Sequence, residues 1–85
     1  MVIWKYELII TDTQKIKMPR GAKGLSVQWQ KNKLCLWCLV DESNDVEEKV
    51  IAIYGTGHNL PMTIGNYVGT FQMYEGNFVF HVFLI

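Results

Sequence analysis

A glycine-rich segment beyond the midpoint of the chain holds the residue types best suited to contacting a ligand, and its members are Gly55, Thr56, Gly57, His58 and Asn59. The two glycines would let the backbone approach a bound group closely, while the other three side chains offer hydrogen bonds. A phosphate-binding fingerprint would need a helix directly after the glycines, and no helical pattern follows them. The segment is therefore predicted to contact a ligand or a partner, with a tight turn or bulge at a strand exit as the alternative.

The two histidines are the candidate bases and metal ligands of the chain. His58 belongs to the glycine-rich segment. His81 lies between Phe80 and Val82 in an apolar strand, which predicts a core histidine with one hydrogen bond. The acidic residues that would have to complete a metal site lie far away in the sequence, and no serine or cysteine forms a local nucleophile pattern. We therefore expect no catalytic residue, no metal and no cofactor, and the chain is not predicted to be an enzyme.

Cys35 and Cys38 have the spacing of a metal-binding or redox motif. They lie in a predicted strand, where residues three apart point to opposite faces, so the two sulfurs cannot share a metal ion. The chain has no second cysteine pair for a zinc site, and no helix begins at the motif as it does in redox proteins. The two cysteines are predicted to be buried structural thiols.

Basic side chains concentrate in one stretch, where five of the eight basic residues are Lys15, Lys17, Arg20, Lys23 and Lys31. The first four are predicted, together with the glycine-rich segment, to contact a partner or ligand. Five of the eight acidic residues lie in the segment 41–48, which is typical of a solvated loop. The net charge is zero, so no strong field attracts nucleic acid or an anionic membrane, and neither is expected as a partner.

Eighty-five residues are enough for one domain, which is predicted to cover residues 1–85. Apolar residues make up 49% of the chain and charged residues only 19%, against a usual charged share of about 25%. The apolar excess favours either a homo-oligomer or a surface for another protein. No stretch approaches the ~20 apolar residues of a membrane span, and the first apolar run alternates with Lys5 and Glu7, unlike a signal peptide. A cytoplasmic protein is expected.

Alternating apolar and polar residues predict a chain made of short strands. The predicted strands cover residues 2–10, 14–18, 25–30, 33–40, 49–54, 67–74 and 77–85. Exposed lysines suit residues 14–18 to an edge strand, and Leu25, Val27 and Trp29 are predicted to share one face of the next strand. Lys31 and Asn32 are predicted to form a two-residue hairpin turn.

The last predicted strand is apolar on both faces, so it should be covered on both sides, inside a barrel or sandwich or against a second subunit. One helical turn is expected near residues 61–65, and no longer helical period occurs. These features predict an all-β fold: a small antiparallel β-sandwich or partly open β-barrel of about six to seven strands, with little or no helix.

Seven short motifs, in order along nearly the whole chain, resemble those of a family of short phage and prophage proteins of unknown function. The motifs are Trp4-Lys-Tyr-Glu-Leu8, Met18-Pro-Arg-Gly-Ala-Lys23, Leu25-Ser-Val-Gln28, Leu36-Trp-Cys-Leu-Val-Asp41, Ile53-Tyr-Gly-Thr-Gly-His58, Tyr67-Val-Gly-Thr70 and Phe78-Val-Phe-His-Val-Phe83. The resemblance implies a phage or prophage origin, and with it the cytoplasm of a bacterial host. It brings no known activity and no catalytic residue.

The expected function is that of a small non-enzymatic phage protein that binds a host bacterial protein, with inhibition of a bacterial defence system as the expected effect. Strand addition at the predicted edge strand would be one route to such binding. One alternative is a homo-oligomeric binder that sequesters a small nucleotide-like ligand. The other is a structural phage protein that associates only with itself.

Overall fold

Seven β-strands make up all the regular structure in the computed structural model, which describes residues 1–85 and contains no helix. They are β1 (Val2–Leu8), β2 (Thr13–Pro19), β3 (Lys23–Gln30), β4 (Lys33–Val40), β5 (Val46–Gly55), β6 (Asn66–Met73) and β7 (Phe78–Leu84). The predicted all-β fold is confirmed. The structure has no helix that could cross a membrane.

Two antiparallel sheets form a small sandwich. The three-stranded sheet has the order β1-β4-β3, and the four-stranded sheet has the order β2-β5-β7-β6. Edge strands β3 and β6 pack against each other and close one side of the sandwich. The other two edge strands, β1 and β2, lie on the opposite side, where the two sheets are not closed by strand contacts. The prediction that residues 14–18 form an edge strand is confirmed, because they lie in β2.

The core lies between the sheets and takes alternate residues from every strand. Its buried members are Leu8, Met18, Val27, Leu34, Leu36, Cys38, Val40, Ile51, Ile53, Phe71, Val82 and Leu84. In β2 this set includes Met18, which alternation with the lysines placed on the inward face. Cys35 and Cys38 are both buried and free, and only Cys38 belongs to the core cluster, so the prediction of structural thiols on opposite faces is confirmed.

Two glycines let β3 and β6 approach closely on the closed side. An ideal Cβ at Gly24 would lie 2.6 Å from Val68 Cγ2, and one at Gly69 would lie 2.7 Å from Val27 Cγ1. Each strand thus presents a glycine to a valine of the other. Both ladders are irregular here, since β3 changes register around Leu25 and β6 between Tyr67 and Gly69.

The irregularity in β3 overturns one expectation. Leu25 was predicted to share a face with Val27 and Trp29, but it occupies the bulge and is 42% exposed, whereas Val27 is buried. A bulge breaks the strict alternation of faces, because its extra residue has no opposite partner in the ladder.

The turns agree with the sequence in one case and differ in another. Lys31 and Asn32 have φ values of 50° and 65°, the left-handed pair that a type I′ hairpin turn requires, so the predicted turn is confirmed. The expected helical turn at residues 61–65 is wrong, because this segment is irregular throughout. Gly65 ends it with φ 78°, and an ideal Cβ there would lie 2.6 Å from Leu84 O. The segment therefore ends in close contact with the end of β7 instead of winding into a turn.

Candidate functional site

His81 lies at the centre of a chain of hydrogen bonds on the outer face of the four-stranded sheet. Its Nε2 is 2.6 Å from Thr56 Oγ1, and its Nδ1 is 2.9 Å from Thr70 Oγ1. The hydroxyl of Tyr67 lies 2.6 Å from Thr70 Oγ1 and extends the chain. His81 is half-buried and has two hydrogen-bond partners, so the expectation of a core histidine with one hydrogen bond is wrong.

Cross-strand pairing places these side chains together. His81 in β7 pairs with Thr70 in β6, and the register shift in β6 brings Tyr67 onto the same face as Thr70. Aromatic rings cover the neighbouring part of that face, because Tyr54 and Tyr67 contact Phe83 edge-on with ring centroids 5.8 and 5.7 Å apart. The outer face of β7 is thus partly shielded by side chains of its own sheet, and no second layer of this chain covers it.

A hydroxyl hydrogen-bonded to an imidazole is the arrangement of a nucleophile and its base. Catalysis would also need N–H donors directed at a developing oxyanion. Two N–H groups of the adjacent loop are occupied, since Thr56 N–H donates to Val79 O at 3.1 Å and His58 N–H donates to Gly55 O at 3.1 Å. The hydrogen bonds around His81 form a clamp, in which Thr56 holds the start of the loop at residues 55–59 against β7.

Residues 55–58 form a β-turn that closes with the His58 N–H to Gly55 O hydrogen bond. Gly57 is the third residue of this turn and has φ 86°, which a type II turn requires and side chains disfavour. The His58 ring packs on Gly55, where an ideal Cβ would lie 2.8 Å from Cε1. The tight turn that the sequence analysis gave as the alternative is therefore present. Gly57 is explained by the turn conformation, and Gly55 is explained by its contact with the His58 ring.

The same turn forms one wall of a groove of about 390 Å³ at the end of the sandwich. Gly55, His58 and Asn59 line it, whereas the Thr56 hydroxyl is bonded to His81. The opposite wall is the connection between β1 and β2, which contributes Asp12 and its neighbours.

The four predicted basic contact residues lie in separate places. Lys15 and Lys17 are exposed on β2 and form no ion pair. Arg20 lies beyond the far end of β2, 3.9 Å from Asp45 and 3.8 Å from Glu47. Lys23 begins β3 and lines a second groove of about 430 Å³. Because the length of β2, roughly 20 Å, separates its two ends, the structure does not bring Arg20 and Lys23 to the groove at residues 55–59.

Hydrogen bonds at both ends of β2 show which of its backbone groups are free. Asp12 O accepts from Ile53 N–H at 2.9 Å, and Arg20 N–H donates to Asp45 O at 2.8 Å. Both residues are even-numbered, and alternate residues of a strand direct their N–H and C=O groups to the same edge. The residues of β2 whose N–H and C=O groups face away from β5 are therefore Thr13, Lys15 and Lys17.

The two lysines give this free edge its charge. Their side chains point to the outer face of the four-stranded sheet, since the intervening Ile16 and Met18 pack on the core. Lys17 lies opposite Glu48 in the ladder without forming an ion pair. Pro19 ends the strand and has no N–H to donate, and proline within a sheet is usually found on an edge strand. The free edge of β2 is thus a short row of backbone donors and acceptors flanked by unpaired positive charge.

The remaining perturbed groups are structural. Burial raises the pKa of the Cys38 thiol to about 11, and burial followed by the nearby Cys38 raises the pKa of Tyr6. The Tyr6 hydroxyl is buried without a hydrogen-bond partner. Hydrogen bonds from the Ser43 hydroxyl and N–H lower the pKa of Asp41, which begins an acidic turn. No cluster of three histidine, cysteine or acidic side chains is placed to hold a metal ion.

Comparison with known proteins gives one match. Neither the curated proteins nor the solved structures contain a match to the chain. The family model for the domain of unknown function DUF7352 matches residues 1–85. Because this match extends over all the residues described above, the chain belongs to the DUF7352 family.

Proposed function

We propose that this chain is a non-enzymatic binding protein that holds an extended segment of another protein against the free edge of β2. The observation that supports the proposal is the combination of unpaired backbone groups with two lysines that lack ion-pair partners. Addition of a strand to such an edge supplies main-chain hydrogen bonds, while neighbouring side chains supply selectivity. Lys15 and Lys17 would favour a segment with acidic side chains at alternate positions.

The resemblance to short phage and prophage proteins supports a bacterial host protein as the partner. The corresponding proposal is that binding takes place in the host cytoplasm and inhibits a bacterial defence system. Tight occupation of a host surface needs no catalytic group, which agrees with the structural role of the clamp around His81.

The test is capture of a partner from bacterial lysate by the tagged chain and by two variants. Lys15→Glu/Lys17→Glu reverses the charge of the β2 edge, and Lys31→Glu/Lys33→Glu makes the same charge change at the β3–β4 hairpin. A specific partner should be recovered near stoichiometry by the wild type and the hairpin variant, and lost with the β2 variant.

A third variant tests the backbone contribution. Lys15→Pro removes an N–H that faces solvent, so the hydrogen bonds between β2 and β5 are retained while strand addition is blocked. Equal recovery of the partner by wild type, Lys15→Pro and Lys15→Glu/Lys17→Glu would refute the β2 site. Recovery of no protein at all would refute the binding function.

The groove beside residues 55–59 supports a second candidate function, sequestration of a small nucleotide-like ligand. Aromatic side chains of Tyr54 and Phe80 line it with the polar groups of His58 and Asn59, as a nucleobase site requires. No lysine or arginine lines the groove, and Asp12 does, so a phosphate would meet a carboxylate there. A thermal-shift panel of nucleosides and nucleotides at millimolar concentration tests this function, with His58→Ala as control. No shift with any ligand would eliminate it.

A further inference from the structure

We infer that two copies of this chain associate through strand β1, which pairs antiparallel with its own copy and joins the two three-stranded sheets. This interface is separate from the β2 edge and does not rest on the function proposed for it. The free backbone groups of β1, the charges beside them and the apolar side chains at its ends together define the second copy as the partner.

The β3–β4 hairpin shows which groups of β1 are free. Gln30 and Lys33 flank its two-residue turn and therefore form a hydrogen-bonded pair. Odd-numbered residues of β4 thus face β3, and even-numbered residues, such as Leu36, face β1. Leu36 lies opposite Tyr6, so the backbone N–H and C=O groups of the even-numbered residues of β1 are hydrogen-bonded to β4. The residues that direct N–H and C=O groups to the free edge are Ile3, Lys5 and Glu7.

The side chain of Gln14 marks where this free edge ends. Ile9 N–H donates to Gln14 Oε1 at 3.1 Å, and Gln14 Nε2 donates to Ile9 O at 2.9 Å. The amide therefore occupies the place that a neighbouring strand would take, on the side where Lys5 and Glu7 remain open. A strand added to β1 can therefore form main-chain hydrogen bonds at Lys5 and Glu7 but not at Ile9.

Opposite charges favour one register for the pairing of β1 with itself. The hydrogen-bonded pairs must join odd-numbered residues of the two copies. The two-fold axis therefore lies at a residue position of β1, which can be odd-numbered or even-numbered. An axis at Lys5 or at Glu7 places like charges directly opposite, which is destabilising. An axis at Tyr6 places Lys5 opposite Glu7 of the second copy, and by symmetry this pair occurs twice. Lys5 and Glu7 lie on the outer face of the sheet, where Gln30 and Lys33 are their partners within the chain. The two side chains therefore need no large movement to reach the second copy.

The same register covers apolar side chains that the single chain leaves open. Ile3 is 59% exposed and Ile9 is 65% exposed, and an axis at Tyr6 directs these side chains of the two copies toward each other, just beyond the last hydrogen-bonded pair of Lys5 and Glu7. The chain exposes 5769 Å² in all, whereas a compact monomer of 9.9 kDa is expected to expose about 5,200 Å². The excess agrees with a surface that a second copy covers.

The edge of β2 does not offer the same partner. Its free positions carry Lys15 and Lys17 and no acidic residue. If β2 paired with its own copy about a two-fold axis near the middle of the strand, lysines would lie opposite lysines. Of the two free edges on the open side, β1 is therefore the one that suits a second copy.

The mass of the purified chain in solution tests the inference, measured by sedimentation equilibrium over a range of concentrations at low ionic strength. The wild type should approach twice the monomer mass of 9.9 kDa. Lys5→Glu makes the edge acidic and Glu7→Lys makes it basic, so each should weaken dimerisation by about tenfold or more. Mixing these two variants should restore the dimer, because each then meets the opposite charge. Circular dichroism checks that both variants are folded.

Three results would overturn the inference. The first is a wild-type chain that stays monomeric at the highest concentration. The second is a dimer that Lys5→Glu leaves as strong as the wild type. The third is a mixture of folded Lys5→Glu and Glu7→Lys chains that remains as dissociated as either variant alone.

Discussion

Adding one methyl group at Gly69 should weaken the closed side of the sandwich. The new Cβ would lie 2.7 Å from Val27 Cγ1 and 3.4 Å from Val27 N. Carbon atoms in contact prefer about 3.5–4.0 Å, so the overlap with Val27 is about 1 Å. Val27 is 5% exposed and cannot turn its side chain into solvent. We expect Gly69→Ala to lower the free energy of unfolding by about 2 kcal/mol, which lowers Tm by about 8–16 °C in a chain of this size.

A double-mutant cycle separates this overlap from a general effect of alanine. Val27→Ala alone should cost about 2 kcal/mol, because it removes two buried methyl groups. In the double variant the new methyl group enters space that Val27 has vacated. The cost of Gly69→Ala/Val27→Ala should therefore fall short of the sum of the single costs by about 1 kcal/mol or more.

Urea unfolding followed by tryptophan fluorescence measures these free energies. Gly21→Ala provides a control, because Gly21 has φ 81° and an ideal Cβ there meets nothing within 4 Å. Its cost should come from backbone strain alone, about 1 kcal/mol, and should add to that of Val27→Ala. A Gly69→Ala chain as stable as the wild type, or a Gly69→Ala cost that simply adds to that of Val27→Ala, would refute the packing described for β3 and β6.

Two further predictions concern the core and the clamp. Burial raises the pKa of the Cys38 thiol from 9.0 to about 11, so the unfolded chain loses this proton first and the free energy of unfolding should fall by up to about 2 kcal/mol between pH 9 and pH 11. Cys38→Ala should make that fall shallower, with some slope remaining from Tyr6, whose pKa is also raised; a wild-type Tm that is constant over this range would contradict the burial. Thr56→Val removes the hydroxyl beside His81 Nε2 and should cost about 1 kcal/mol and speed hydrogen exchange at the Thr56 amide; unchanged exchange would show that this hydroxyl does not hold the loop.

Much of the fold could be predicted because alternation and turn chemistry are local. The alternation of Ile16 and Met18 with lysines indicated an edge strand, and that strand is β2. Asn32 tolerates positive φ, which made the β3–β4 turn predictable. Neither inference needs knowledge of distant contacts, since the residues that decide the conformation are neighbours in the chain.

The expectations that failed depend on contacts between distant strands. Leu25 is displaced by a bulge that accompanies the approach of Gly24 to Val68, a residue of the other sheet. Gly65 adopts its conformation against the end of β7. His81 obtains its two partners from β6 and from the loop after β5, and sequence spacing gives no sign of either.

The candidate site was only partly predictable for the same reason. The turn at residues 55–59 was evident from its glycines, and it does line a groove. The basic residues of the segment 15–23 are close in sequence, but the chain leaves the four-stranded sheet after β2 and enters the three-stranded sheet at Lys23. The free edge of β1 follows from the strand order, which a short-range pattern cannot supply.

The strand order also interlocks the two halves of the chain. Residues before the acidic turn supply the whole three-stranded sheet and also β2, which completes the sheet built by the second half. A backbone cut between Ser43 and Asn44 would leave one piece with an additional strand and another piece that lacks its edge. Such pieces are suited to reassembly by complementation, with β2 as the donated strand, and the same strand could be exchanged between intact molecules. The acidic turn is thus a natural position for splitting this protein into reporter fragments.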